Sequence, residues 1–264
     1  MKKHLLFLLF AFFAGLHSAN AIEQYREGDT LFVWAKSGLV LRATDDFKSE
    51  KIATLPFGTA VKTHSYKYRD EDISEIEVAV VQPYNFNGKK YPGYKIPGQW
   101  VKVTAQGKTG YVFDGYLSKY PPPPTKLEPG ERGEWHEYLS KVFGIAGISK
   151  KEAGEDKNSP GHDLVFYKNG ASYQRRYAGE SASAITYILP QLSLEEGFLL
   201  ANYFEDLEKN SNRPAKTDDV DDSPYLLLES APNLLDFDSE SSFWGHIKIG
   251  CVNGVVVIAT FFSC

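Results

Sequence analysis

Two cysteines and four histidines beyond the N-terminal stretch are the residues best suited to covalent or metal chemistry in this 264-residue chain. A cysteine nucleophile needs a neighbouring histidine and commonly sits at a helix N-terminus, where the local field favours the thiolate. Cys251 lies between Gly250 and Val252 in a strand-turn context and Cys264 is the last residue given, so neither meets that requirement. Zinc sites draw His and Cys together at short spacings, whereas His64, His136, His162 and His246 stand apart, without a His-x-x-x-His or Cys-x-x-Cys. No Gly-x-Ser-x-Gly marks a serine nucleophile. TDDVDDS supplies Asp218, Asp219, Asp221 and Asp222, but it lacks the glycine and the downstream bidentate glutamate of a calcium loop. The expectation is a solvated loop, no bound metal and no cofactor.

Aromatic residues are the stronger signal. VQPYNFNGKKYPGYKIPGQW holds Tyr84, Phe86, Tyr91, Tyr94 and Trp100, with Lys89, Lys90 and Lys95 adding positive charge. Flat rings beside hydrogen-bonding groups are suited to stacking on sugars or gripping an extended peptide. Internal packing is the competing use of the same rings. Disordered segments are aromatic-poor, so this stretch is expected to be ordered.

The elements that must position these residues differ along the chain. DTLFVWA, LVLRA, KIATLP, TAVKTHSYKY and ISEIEVAVVQ are short strand candidates, and QWVKVTAQGKTGYVFDGYL is a hairpin turning at Gln106-Gly107. Short strands with tight turns and no helical period point to a small all-β barrel. Pro121–Pro124 then favour an extended, semi-rigid spacer. Beyond it, GEWHEYLSKVFGIAG and SLEEGFLLANYFEDLEKN have helical apolar spacing, the second opening on a Ser193/Glu196 capping box. DLVFYKNGASYQRRYAG and the terminal WGHIKIGCVNGVVVIATFFSC read as hairpins, the latter around Asn253-Gly254. That register sets Cys251 opposite Val256 and leaves Cys264 roughly 26 Å further along, too far for a disulfide. Either that register fails or the two do not pair with each other; two buried thiols are expected. Strands and helices without βαβ alternation point to an α+β region with an antiparallel sheet.

GLVLRATDDFKSEKIATLPFGTAVK and QWVKVTAQGKTGYVFDGYLS together resemble the bacterial SH3-like (SH3b) domain family. The matching features are Gly38, Leu39, Leu41 and Arg42, the Leu55-Pro56-x-Gly58 turn, and Trp100, Val101 and Val103. They continue with Gly107, Gly110, Tyr111 and Val112, and end in Tyr116 and Leu117. The resemblance covers about residues 28–120. The sequence departs from the family between Val61 and Trp100, where a long aromatic-rich insertion at about 64–98 replaces a short connection. The expected architecture is thus an all-β SH3-like barrel at 22–120, a Pro-rich linker at 121–130, and a separate α+β domain with an antiparallel sheet at 131–264.

The ends and the charge bound the function. MKKHLLFLLFAFFAGLHSANA has two lysines, an apolar run from Leu5 to Leu16 and small residues at Ala19 and Ala21. That is the grammar of a signal peptide, with cleavage expected after Ala21. The apolar run falls short of a membrane span, so export to the periplasm or beyond without a lasting membrane anchor is expected. Residues 22–125 carry 14 basic and 12 acidic side chains, and 126–264 carry 13 and 22. An excess of acid argues against nucleic acid as a partner. The expected function is a non-enzymatic binding module, and the resemblance implies its ligands: a cell-wall peptide or glycan, or a partner envelope protein. The expected ligand-binding residues are Tyr84, Phe86, Tyr91, Tyr94 and Trp100. One alternative is an envelope hydrolase built on His162, Asp163 and His246, which requires those three to converge. Another is a structural or assembly role for the acidic second half. The oligomeric state is left open.

Overall fold

Alternating apolar residues between glycine and proline turns become strands ahead of the proline run. A computed structural model describes residues 25–64, 76–86, 88–123, 135–152, 161–177, 182–212, 225–239 and 245–263. The expected signal stretch at 1–21, Pro124, the acidic run at 217–223, Cys264 and the side chain of Phe86 lie outside the described residues. The first strands are β1 (Thr30–Val33), β2 (Leu39–Arg42), β3 (Lys51–Leu55), β4 (Ala60–Thr63), β5 (Ile76–Val81) and β6 (Tyr84–Phe86). They continue with β7 (Lys89–Tyr91), β8 (Tyr94–Gly98), β9 (Trp100–Ala105), β10 (Lys108–Phe113) and β11 (Leu117–Ser118). Seven form one antiparallel sheet in the order β11-β1-β4-β9-β10-β2-β3. Leu31, Val33, Leu41, Leu55, Val61, Val101, Val103 and Val112 make its core. β11 and β3 are its two edges, so the sheet does not close into the expected barrel. The insertion forms two antiparallel ribbons, β5 with β8 and β6 with β7.

The second half opens with α1 (Trp135–Phe143), which ends as Gly144 adopts a left-handed φ of 68° and turns the chain into β12 (Ile145–Lys151). β13 (Gly161–Tyr167), β14 (Ser172–Tyr177), β15 (Ala182–Pro190), α2 (Leu194–Glu205) and α3 (Leu207–Ser211) follow. β16 (Tyr225–Ala231), β17 (Leu234–Ser239), β18 (His246–Val252) and β19 (Val255–Ser263) complete it. Eight strands form an antiparallel sheet in the order β12-β13-β14-β15-β19-β18-β17-β16. The Asn253-Gly254 turn joins β18 to β19 with Cys251 opposite Val256, the register read from the sequence. The described chain is therefore mostly β, with few helices and antiparallel sheets.

α2 ties the halves together. Its capping box forms: Ser193 Oγ accepts from the Glu196 backbone N–H at 3.2 Å, and Glu196 Oε2 accepts from the Ser193 N–H at 3.1 Å. Gly197 lets the helix lie directly on β19, because a Cβ there would stand 2.7 Å from Val256 Cγ1. Sequence spacing gives α2 one apolar face, yet Leu199 and Leu200 are buried as well as Leu194, Phe198, Ala201 and Phe204. A helix apolar nearly all round needs cover on more than one side. The sheet supplies one side, and Trp34, Val80, Val81, Tyr94, Ile96 and Phe113 from the first half join the same core. Lys36 donates to Asn202 O at 3.0 Å and pairs with Asp206 at 2.6 Å; Asn212 Nδ2 donates to Val80 O at 2.7 Å. The proline run therefore does not mark a break in packing.

Candidate functional site

Each aromatic side chain expected at the site has its place set by its strand. Tyr84 and Tyr91 pair across the β6–β7 ribbon, and Lys89 Nζ sits 5.0 Å from the centre of the Tyr91 ring. Tyr91 and Tyr94 are buried. Tyr94 meets Phe198 of α2 edge-on, with ring centres 5.0 Å apart, and its hydroxyl has no hydrogen-bond partner. Burial pushes the Tyr94 phenol well above its ordinary pKa, with the Glu195 charge adding to the shift. Tyr94 thus packs the insertion onto the second half, and neither ring presents an open face to a ligand. Phe86 lies on β6, and Tyr84 is half-buried.

Trp100 has a different setting. It begins β9, is half-buried, and lies against Phe47, whose ring centre is 4.8 Å away at 60°. Phe47 is 48% exposed, and Phe113 sits beneath it at 6.5 Å. Side-chain hydrogen bonds fix the loop that carries Phe47. Asp46 Oδ1 accepts from the Lys48 N–H at 2.8 Å, an Asx turn. Ser49 Oγ donates to Thr44 O at 3.1 Å, and Arg42 donates to Ser49 O at 2.7 Å. A large ring is thus held in water at the tip of a β2–β3 connection that the sequence would otherwise have filled with polar residues. The arrangement offers an exposed ring tilted against a half-buried one, with Asp45, Asp46 and Lys48 beside it in the loop. Sequence reading missed Phe47; the available signal was a lone aromatic inside the polar run TDDFKSE.

A second polar arrangement lies where the halves meet. Tyr25, Asp114, Gly115, Ser118, Lys119, Glu195 and Glu196 line a narrow cleft. Tyr25 OH donates to Asp114 Oδ2 at 2.9 Å, and the Gln99 N–H donates to Asp114 Oδ1 at 2.7 Å. Ser118 Oγ donates to Glu196 Oε1 at 2.7 Å. Burial raises the Glu196 carboxyl pKa, opposed by its hydrogen bonds from Ser118 and Ser193 and by nearby Lys119. The Glu196 carboxylate joins the halves through Ser118, whereas Asp114 is held by Tyr25 and Gln99 of the first half.

The residues of the hydrolase alternative do not converge. His162 is on β13 and His246 on β18, with β14, β15 and β19 between them. Four strand spacings put them roughly 19 Å apart. Asp163 pairs with Lys150 at 3.8 Å, while His246 bonds Asp236, which also pairs with Lys248 at 3.0 Å. Among the described residues, no group of three or more His, Cys, Asp or Glu could hold a metal. Cys251 is a free thiol whose pKa is raised by burial, and its Sγ donates to Leu192 O at 3.8 Å. No described helix is long and apolar enough to cross a membrane. No protein-family model matches the chain, and no curated protein or solved structure matches it either.

Proposed function

We propose that the chain is an exported, non-enzymatic binding protein of the cell envelope, with an SH3-like first half that engages a cell-wall peptide or glycan, or a partner envelope protein. The exposed Phe47 ring, held against half-buried Trp100, carries this reading, because an aromatic surface fixed in water gains free energy when an apolar ligand surface covers it. The resemblance of residues 28–120 to SH3b domains supports the ligand class, and the leader supports export. In this reading the insertion's buried tyrosines and the second half form the support that holds this surface.

The test is cosedimentation of the mature protein with purified sacculi, and titration with soluble muropeptides and with envelope extract. The wild type is expected to bind, and Phe47→Ala/Trp100→Ala to lose binding while keeping its circular dichroism spectrum. Undiminished binding by the double variant, or no binding to any of these by the wild type, sinks the proposal.

A further inference from the structure

One row of side chains on the outer face of the eight-stranded sheet gathers basic residues beside an exposed ring. In direct register stand Lys151 on β12, His162 on β13, Arg176 on β14, Ala184 on β15, Phe261 on β19 and His246 on β18. Side chains alternate across a strand, and the buried Val165, Tyr173, Tyr187, Ile258 and Ile247 mark the opposite, core-facing side. Lys151 and Arg176 are exposed, with half-buried His162 between them. Among the described residues no carboxylate is paired with any of the three. Their neighbours on the core-facing side are matched: Lys150 pairs with Asp163 at 3.8 Å, and Arg175 stands 5.7 Å from the centre of the Tyr177 ring.

Both the guanidinium and the ring are held by neighbours. Gln174, two residues back on β14 and on the same face, orients Arg176: its amide oxygen accepts from Nε at 2.6 Å and from Nη2 at 3.1 Å. Nη1 has no partner among the described residues, so a fixed fork keeps donors for an outside anion. Phe261 is 47% exposed and meets His246 edge-on, with ring centres 6.3 Å apart. His246 is bonded to Asp236, which also pairs with Lys248 at 3.0 Å. Between Arg176 and Phe261 only the small Ala184 intervenes, a low floor two strand spacings, about 9.6 Å, across.

Cations on successive strands stand about 4.8 Å apart, which is close to the advance of one pyranose unit along an extended sugar chain. A fixed ring beside them suits the apolar face of a sugar. We propose that this row is a binding strip for a linear anionic glycan, with Lys151, His162 and Arg176 taking its acidic groups and Phe261 stacking on a sugar face. An acidic peptide would engage the three basic residues and leave Phe261 idle. Nucleic acid is disfavoured by the 22 acidic against 13 basic side chains of residues 126–264. Exposed charge pairs are individually weak and screened by salt, so the affinity is modest and falls as ionic strength rises. The strip lies on the second half and does not rest on the role proposed for Phe47.

Calorimetric titration of the mature protein with polygalacturonate, a linear carboxylate-bearing glycan, tests the strip, with neutral dextran and polyglutamate alongside. The wild type is expected to bind polygalacturonate with a Kd of roughly 0.1 mM, more weakly in high salt, and not to bind dextran. Arg176→Ala is expected to weaken binding about tenfold and Phe261→Ala about fivefold, each with an unchanged circular dichroism spectrum. Arg175→Ala, one residue away on the core-facing side, is expected to leave binding unchanged. The loss caused by Arg176→Ala is expected to persist in the Phe47→Ala/Trp100→Ala background, so the two sites stand or fall separately. The inference is overturned by a wild type that does not bind polygalacturonate, or by equal losses in Arg175→Ala and Arg176→Ala. Polyglutamate bound as tightly as polygalacturonate, with Phe261→Ala indifferent, also overturns it.

Discussion

Trp34 and Trp100 belong to the same half of the molecule, and their surroundings divide it. Trp34 is 5% exposed, meets Phe57, Tyr138 and Tyr203 edge-on at 6.2 Å each, and donates its ring N–H to Tyr120 O at 2.8 Å. Two of those three rings come from the second half. Trp100 is half-buried and is covered chiefly by Phe47, a ring itself open to water. Aromatic density alone therefore does not mark a binding site here. The rings beside α1 and α2 are consumed in joining the halves, and the ring at the tip of a hydrogen-bonded loop stays open to water.

Breaking the joined side should have the larger effect. Trp34→Ala removes a buried ring and leaves the Tyr120 carbonyl without its donor, so a loss of about 3–5 kcal/mol is expected in urea denaturation. A loss under about 1 kcal/mol would mean that the halves do not share a core in solution. Ser193→Ala deletes the N-cap of α2 and should cost about 1 kcal/mol by the same measurement.

Glu196 sharpens the comparison through pH. Its folded pKa is raised, so the folded state holds the proton more tightly than the unfolded chain. The stabilisation is present below the unfolded value near 4.5 and is lost as pH rises through the folded pKa. The stability of the wild type relative to Glu196→Gln should thus fall as pH rises from that value; a difference that is flat or rises would contradict the burial. Tyr94→Phe removes a buried hydroxyl that has no partner, so stability should stay level or increase by up to about 1 kcal/mol. Phe47→Ala should change stability least, by about 0.5 kcal/mol, because the ring is already half in water. A larger loss would show that Phe47 holds the fold together instead of displaying a surface.

Much of the local structure was legible in the sequence. The Ser193/Glu196 capping box, the Asn253-Gly254 turn and the hairpin across Gln106-Gly107 are short-range patterns, and each forms as read. β12 was not legible, because IAGISKK lies on a sheet edge with most of its side chains exposed and so has no alternation to read. β17 was hidden by its acids: Asp236 and Asp238 interrupt LLDFDS, although Asp236 is buried against His246 and Lys248. The fate of Tyr94 could not be read locally, since Phe198 lies 104 positions away in sequence. The insertion looked like a display surface because its partner is non-local. Phe47, the ring that is displayed, sits in a stretch whose composition says only that it is a loop.

β19 follows every other strand in sequence and yet occupies the middle of its sheet, bonded to β15 on one side and β18 on the other. Until it inserts, β12–β15 and β16–β18 are two separate sheets, each with a raw hydrogen-bonding edge, and α2 has no Val256 to rest on. Assembly of the second half is therefore a closing event that waits for the last strand to arrive. A chain whose last strand is still unavailable cannot complete this sheet, and a fragment stopping before Val255 would expose two sticky edges instead of one finished surface.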